Sequence, residues 1–449
     1  MEGSLDVVRS EMDLFSEAPL QRTIEKFQLE EIFSVNNVKT DGTITFHVRG
    51  APNQWIDLDD TYLLIRYRLK THDGNDIANQ ADTCIRTIEE PNLFHNLWSK
   101  VEMSIDSTPI KSVVNPYPMR PYIENLLTTP SDGLDEKYNA EGFYKEKAGD
   151  FDHDPENTVA RVKSQTSWRQ DVQMKNKGSP QHVFYGKLAV DMWRQGRNIP
   201  PNHDVRLDLT KNRPQFYLRS KETAGQEHKL VLEEAKLIVK RVHLYDDTQA
   251  NLDEAMAEAG VIKYPIRRVD VKTHAVGKDV KVYQENNIIS GQIPSRVIIG
   301  MVDNDAISGS YNKSPFNFQH YKVEELYLHF NGEVYPSNMY RTSFTGDKDA
   351  LVPWLNLKKL VTPGQPFFNH TISYEDFCAG GYTLWVIDMS QDNKCGVSAD
   401  YNNVRLNGDV RLNVRFGGDG LSEPITIVVF AEYENQIEVG RNRDVMQDY

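Results

Sequence analysis

SPFNFQHYKVEELYLHFNGEVYPS, residues 314–337, holds a strand, a tight turn and the start of a return strand. Leu326, Leu328 and Phe330 fall on one face of an extended chain, with Tyr327, His329 and Asn331 on the other. That period of two marks a half-buried strand. Asn331-Gly332 follows, the dipeptide that best accepts the positive φ of a two-residue hairpin turn. Glu333, Val334 and Tyr335 begin the return, and Pro336 stops it. The stretch predicts a β-hairpin.

The same pattern stands earlier in the chain. Val101, Met103 and Ile105 alternate with Glu102, Ser104 and Asp106; Ser107-Thr108-Pro109 reads as the turn and Ile110-Lys111-Ser112 as the return. Ile105 corresponds to Phe330 at an offset of 330 − 105 = 225, and Ser112 to Ser337 at the same 225. LAVDM, ending at Met192, mirrors WVIDM, ending at Met389, at 389 − 192 = 197. DVRLDL (204–209) mirrors DVRLNV (409–414) at 409 − 204 = 205. Each half closes on a long apolar strand, LIVKRVHL (237–244) and ITIVVFAEY (425–433). Matches in this order argue for two similar domains, the first with the longer insertion.

Length and composition agree. A chain of 449 residues is long for one core, and two domains of about 200 residues each is the natural division. Hydrophobic content of 39% and mean hydropathy of −0.57 imply extensive loops. The net charge of −14 argues against direct, sequence-specific nucleic-acid binding, which needs clustered Lys and Arg. Three cysteines, Cys84, Cys378 and Cys395, form no CxxC and no even framework, which predicts folding in a reducing, intracellular place. No apolar run is long enough for a membrane span, and the N-terminus lacks a secretory pattern, so a soluble protein outside the ordinary secretory route is expected.

In chain order, Leu5 to Phe15 has the spacing of a short acidic amphipathic helix through Leu5, Val8, Met12 and Phe15. Up to Glu31 the segment holds eight acids against Arg9, Arg22 and Lys26; such an arm either stays disordered or straps onto a neighbour. Strands are expected at 43–48, 63–70, 182–191, 205–209 and 229–244, with a short helix at 121–127. Thr129 to Pro180 is polar and turn-rich, and predicts a tower or cap above the sandwich. Asp246 to Gly260 is the best helix in the chain, with Gly260 as its cap. The second half offers strands at 266–273, 296–302, 382–388, 404–416 and 425–433, and short helices at 348–360 and 374–378. The reading is therefore all-β: two tandem eight-stranded antiparallel jelly rolls, a double jelly roll, with short helices and long loops. Its expected divisions are an N-terminal arm at 1–27, a first jelly roll at 28–246 with the insertion 129–180, a connector helix at 247–260, a second jelly roll at 261–439 and a tail at 440–449.

Chemistry-bearing motifs are missing. There is no GxxxxGK[ST], HExxH, GxSxG or zinc spacing, and the twelve histidines include no HxH of the bicupin kind. Asp150, Asp152, Asp154 and Glu156 alternate, but Pro155 and the lack of a turn glycine favour a solvated acidic loop over Ca²⁺ ligation. Asn312-Lys313-Ser314 and Asn369-His370-Thr371 fit the glycosylation pattern only by chance. His329 reads as a surface residue, Trp98 and Trp385 as core. For Trp55 and Trp168 an aromatic binding platform is the sharper reading and a plain structural role the favoured one. Arg66, Arg68 and Lys70, like Arg411 and Arg415, face away from the apolar stripe of their strands, as a solvated face or an intersubunit contact. No catalytic, cofactor-binding or metal residue is assigned, and no cofactor is expected.

DLFSEAPLQRTI, WIDLDDTYLLIRYRL, LFHNLWSKVEMSIDSTPI and SPFNFQHYKVEELYLHFNGEVYPS, in this order, resemble the major capsid protein of Polinton/Maverick elements and adintoviruses, as do the closing VRLNVRF and ITIVVFAEYENQIEV. The resemblance covers most of the chain; the 129–180 insertion and the interdomain region match loosely. It implies a hexon-like, double jelly-roll structural protein without enzymatic activity. Homotrimers would tile an icosahedral capsid beside neighbouring capsomers, with penton and minor capsid proteins as further partners. The expected location is the virion, made and assembled inside the host cell. Two alternatives stay open: a tandem jelly-roll carbohydrate-binding protein, and a peptide:N-glycosidase-like hydrolase with paired carboxylates between its domains.

Overall fold

The computed structural model describes residues 20–79, 87–110, 114–152, 176–222, 225–346, 348–361, 371–391, 403–440 and 443–448. Sixteen strands carry the architecture. In the first half they are β1 (Ile24–Phe33), β2 (Thr43–Val48), β3 (Trp55–Lys70), β4 (Trp98–Ile105), β5 (Thr108–Ile110), β6 (His182–Gly186), β7 (Val205–Lys211) and β8 (Lys229–Leu244). In the second they are β9 (Val261–Val276), β10 (Val282–Gln292), β11 (Arg296–Asp303), β12 (Val323–Phe330), β13 (Glu333–Arg341), β14 (Leu384–Asp388), β15 (Asn407–Phe416) and β16 (Ile425–Gly440). The helices used below are α1 (Met119–Thr128), α2 (Leu134–Glu141), α3 (Asp246–Ala259), α4 (Leu351–Val361) and α5 (Tyr374–Ala379).

The first half forms two four-stranded sheets in the orders β1-β8-β3-β6 and β2-β7-β4-β5. The second repeats them as β9-β16-β11-β14 and β10-β15-β12-β13, each label raised by eight, with Val445–Gln447 added beside β16. All the ladders are antiparallel. This is a double jelly roll.

Register repeats as well as order. Met103 pairs with Leu207 and Val101 with Leu209; Leu328 pairs with Leu412 and Leu326 with Val414. The first members differ by 328 − 103 = 225 and the second by 412 − 207 = 205, the offsets legible in the sequence. The second hairpin turns at Asn331 (φ 50°) and Gly332 (φ 87°). The first turns at Asp106 (φ 46°) and Ser107 (φ 70°), one residue earlier than expected, and Thr108 already belongs to the return strand. The alternation inside each sandwich puts Ile44, Phe46, Leu63, Ile65, Met103 and Leu207 in one core, and Val297, Ile299, Leu326, Leu328, Leu412 and Trp385 in the other.

Two expectations need correction. LAVDM is not a strand: the chain leaves β6 at Gly186, and Asp191 to Arg194 make a 3₁₀ turn that aims Asp191 at Arg120, 2.7 Å away. The described part of the 129–180 insertion is no polar tower. It contains α2, and Phe143, Tyr144 and Phe151 are buried: Phe143 and Phe151 lie down on the core of the second jelly roll, and the Tyr144 hydroxyl donates to Glu89 O of the first half at 2.7 Å. Trp55 has the favoured structural role; it is 7% exposed, and its indole N–H donates to Gln249 Oε1 on α3 at 2.8 Å. Trp168 and the Leu5–Phe15 helix lie outside the described residues.

Candidate interaction surfaces

The outer face of the β9-β16-β11-β14 sheet is covered from within the chain. Strand β11 is buried on both faces except at its ends, and β16 is buried almost throughout. A Cβ on Gly300 of β11 would stand 2.5 Å from Phe318 Cδ1, so the cover leaves no room there for a side chain. Phe318 belongs to an aromatic group in which Tyr122 of α1 stacks on Phe316 at 4.2 Å, with Phe216 edge-on to Phe316 at 5.9 Å. The same connection that carries α1 also pairs with the sheet edge, where the Asn115 N–H donates to Val271 O at 3.1 Å. The first jelly roll thus roofs the second.

Buried charges lock this roof. Arg219 reaches Glu90 at 2.6 Å and Glu146 at 3.2 Å, and the Ser314 hydroxyl donates to Glu90 at 2.7 Å. Burial raises the Glu90 carboxyl above its ordinary range against the pull of Arg219. Asp152 accepts from the Ser314 N–H and from Asn317, both at 2.7 Å. Its carboxylate thereby clamps the start of the 314–337 stretch and is not arrayed for Ca²⁺; Asp150 pairs with Lys147, while Asp154 and Glu156 lie outside the described residues. Lys145 meets Asp376 of α5 at 2.6 Å.

Between α1 and the sheet remains a cavity of about 380 Å³, lined in part by Arg120, Glu124, Arg267, Arg296, Phe430 and Glu432. Glu432 is held by Arg296 and by Arg267; burial works to raise its pKa, but the two guanidinium groups outweigh that and keep it below the usual range. Glu124 is bound by Arg120 at 3.1 Å and Arg194 at 2.7 Å. A general acid needs a carboxyl raised toward neutrality, whereas Glu432 is held below its usual range, as suits a structural seam.

The first jelly roll's corresponding sheet, β1-β8-β3-β6, has no such roof among the described residues. Edge strand β1 is exposed along nearly its whole length, with Phe27 61%, Leu29 60% and Phe33 61% exposed. At the opposite edge of the same sheet, on β6, Val183 is 42% and Tyr185 39% exposed. Arg66 pairs with Glu234 at 2.7 Å and Arg68 with Glu233 at 2.9 Å, both half-exposed; Lys70 pairs with Asp76 at 3.3 Å. The result is a mixed apolar and charged face.

The remaining sequence-marked residues are dispersed. Arg411 is exposed, and Arg415 meets Glu324 at 3.3 Å, both on the outside of the second hairpin sheet with Tyr327 and His329. Asn312 is exposed, Trp98 and Trp385 are fully buried, and Cys378 is a buried free thiol; Cys84, Cys395, Asn369 and His370 lie outside the described residues. Among the described residues no cluster of His, Cys, Asp and Glu fits a metal, and no helix is long and apolar enough to cross a membrane. Sequence reasoning missed the roof. Its signal was the unbroken apolar runs 297–302 and 427–431, which lack the alternation of a one-sided strand.

No family model matches the sequence. An uncharacterised protein of Caenorhabditis elegans is 20% identical over 420 residues, spanning 92% of this chain and 95% of that one. Among solved structures, a chain of the Sputnik virophage superposes with a TM-score of 0.63 at 10% identity, over 99% of this chain and 93% of that one. A chain of the PBCV-1 virus capsid gives 0.57 at 10% identity, over 97% and 99%. The mavirus major capsid protein gives 0.50 at 11% identity, over 100% and 96%. The likeness runs through both jelly rolls and establishes the shared fold.

Proposed function

We propose that the chain is the major capsid protein of a Polinton/Maverick or adintovirus-type element, and that three copies build a pseudo-hexagonal capsomer of an icosahedral shell. The observation that carries this reading is the unequal treatment of two equivalent sheets. Within the chain, the first jelly roll covers the second; the first jelly roll's own sheet, with Phe27, Leu29 and Phe33, is left open among the described residues. A neighbouring copy's second jelly roll, whose α4 exposes Leu351 (49%) and Val352 (46%), is the matching partner. Each copy then covers the next, a heterologous contact that closes into a ring of three with six similar lobes. Capsid proteins supply all the solved relatives described above, and the Polinton assignment rests on the ordered sequence stretches.

In this role the protein is structural and needs no cofactor. Its partners are neighbouring capsomers, a single jelly-roll penton protein and minor capsid proteins; it is made and assembled inside the host cell and resides in the virion. The arm 1–27, connector 247–260 and tail 440–449 are taken as the parts outside the two jelly rolls. Electron microscopy of the purified chain is the test. Three-fold particles with hexagonal outline, closing into shells when the penton protein is added, are expected. Isolated two-lobed particles would overturn the reading in favour of the carbohydrate-binding or hydrolase alternatives.

A further inference from the structure

At the β6 edge of the β1-β8-β3-β6 sheet, residues of α1, α2, β3 and the turn at 191–194 border an open cavity of about 610 Å³, within the range of small-ligand sites. A Cβ on Gly186 would stand 2.8 Å from Glu141 Cγ, so β6 runs close against α2 and fixes Glu141 in place. Glu141 accepts from Asn125 at 3.2 Å and from Lys137 at 3.0 Å, and lies 3.5 Å from the buried His95. Burial works to raise its pKa, but His95 and Lys137 outweigh that and hold it at about 2.

Two buried polar groups in the lining lack partners. Asn125 is 7% exposed; its amide N–H groups donate to Asn92 at 3.0 Å and to Glu141, and its Oδ1 accepts from none of the described residues. Trp193 is 1% exposed, and its indole N–H has no acceptor among the described residues. One group needs a donor and the other an acceptor. A hydroxyl is both. At the mouth, Tyr185 stacks on Tyr62 at 4.7 Å, and Lys187 lies over the Tyr62 ring at 5.4 Å. Held in that stack and still 39% exposed, Tyr185 offers a flat ring for the C–H face of a ligand. Charge narrows the choice. The lysines and arginine of the lining, Lys137, Lys187 and Arg194, are already paired with Glu141, with Asp59 at 3.3 Å and with Glu124 at 2.7 Å, and exposed Glu136 is left in excess. An anion would have to break one of these pairs; a neutral ligand would not.

We propose that this cavity binds a neutral sugar ring, its C–H face packed on Tyr185 and its hydroxyls turned to Asn125 Oδ1 and the Trp193 N–H. Every residue of the site belongs to the first jelly roll or its insertion. The inference is therefore independent of the capsid reading, and assembly and sugar binding are read by separate measurements.

Saturation-transfer NMR on the full chain tests it, with glucose, galactose, mannose and N-acetylglucosamine as probes. Transfer to the ring protons of at least one of them is expected, and an equal concentration of inorganic phosphate should not displace it. Tyr185→Ala, at an exposed position, should weaken binding about tenfold and leave the thermal midpoint unchanged. Trp193→Phe, which keeps an aromatic ring and loses the N–H, should weaken it by a similar factor. The absence of transfer to all four sugars, or transfer that either variant retains in full, would overturn the proposal. Displacement by phosphate would overturn it too, since the site would then be one for anions.

Discussion

Arg66 and Ile298 occupy one position in two copies of the same sheet. Strands β8 and β16 are both sixteen residues long and related by 425 − 229 = 196. Arg66 lies opposite Glu234, and Ile298 opposite Phe430, again 430 − 234 = 196 apart. One site holds a half-exposed ion pair; the other holds an apolar pair beneath α1. On the edge strands the contrast runs the other way: Phe33, opposite Lys236, is 61% exposed, while Val269, opposite Glu432, is 3% exposed. The duplicated backbone is thus the same, and the side chains have diverged according to what covers them. The covered sheet is sealed by its own chain. The open sheet keeps charged pairs beside exposed apolar side chains, the mixed composition that the proposed contact between copies calls for.

The strongest way to break the comparison is to give the covered sheet the open sheet's character. Ile298→Asp places a carboxylate among Phe430 and Glu432 with no cation of its own and should cost about 3–5 kcal/mol in denaturant unfolding. If it costs as little as a surface change, the roof does not exclude water and the argument from cover fails. The reverse exchange should be mild. Arg66→Ile removes a pair that is about one-third exposed on both sides and should change the stability of the unassembled chain by no more than about 1 kcal/mol.

A smaller effect sharpens the contrast through pH. The offset of 225 that relates the hairpins also relates His95 to His320 (320 − 95 = 225), and burial presses both imidazoles down. His95 faces Glu141, which partly restores it. His320 lies flat on Phe344 at 4.2 Å, with Lys348 and Lys322 adding to burial, and falls to about 4. The unfolded chain binds a proton on His320 from about pH 6.5 downward, whereas the native chain resists until about 4. Stability is therefore full above pH 6.5 and declines as pH falls through that window. A urea midpoint that drops between pH 7 and 4.5, and drops less in His320→Gln, is expected; His95→Gln should flatten the curve less.

Much of this was legible in the chain. The Asn331-Gly332 turn and the alternation around it are local signals, and the offsets of 225 and 205 carried the pairing register correctly. The same offset would have placed the first turn at Asp106-Ser107, where the sequence chemistry of Thr108-Pro109 misled. LAVDM matched WVIDM in composition but not in conformation, because Asp191 turns away to a partner seventy-one positions earlier, Arg120 (191 − 120 = 71). Phe143, Tyr144 and Phe151 looked like residues of a polar loop since their partners are distant in sequence: Phe143 and Phe151 join the core of the second jelly roll, and the Tyr144 hydroxyl donates to Glu89 O. The roof is a long-range contact, and its local trace was the loss of alternation in 297–302 and 427–431.

Sedimentation equilibrium of the wild-type chain beside Phe33→Asp tests the central claim most directly. The substitution falls on an exposed residue and should leave the monomer folded, so any change reports assembly. The account predicts a wild-type species of 3 × 51.5 = 154.5 kDa and a Phe33→Asp species of 51.5 kDa. A wild-type chain that stays at 51.5 kDa over the whole concentration range, or a Phe33→Asp trimer as tight as the wild type, would contradict it.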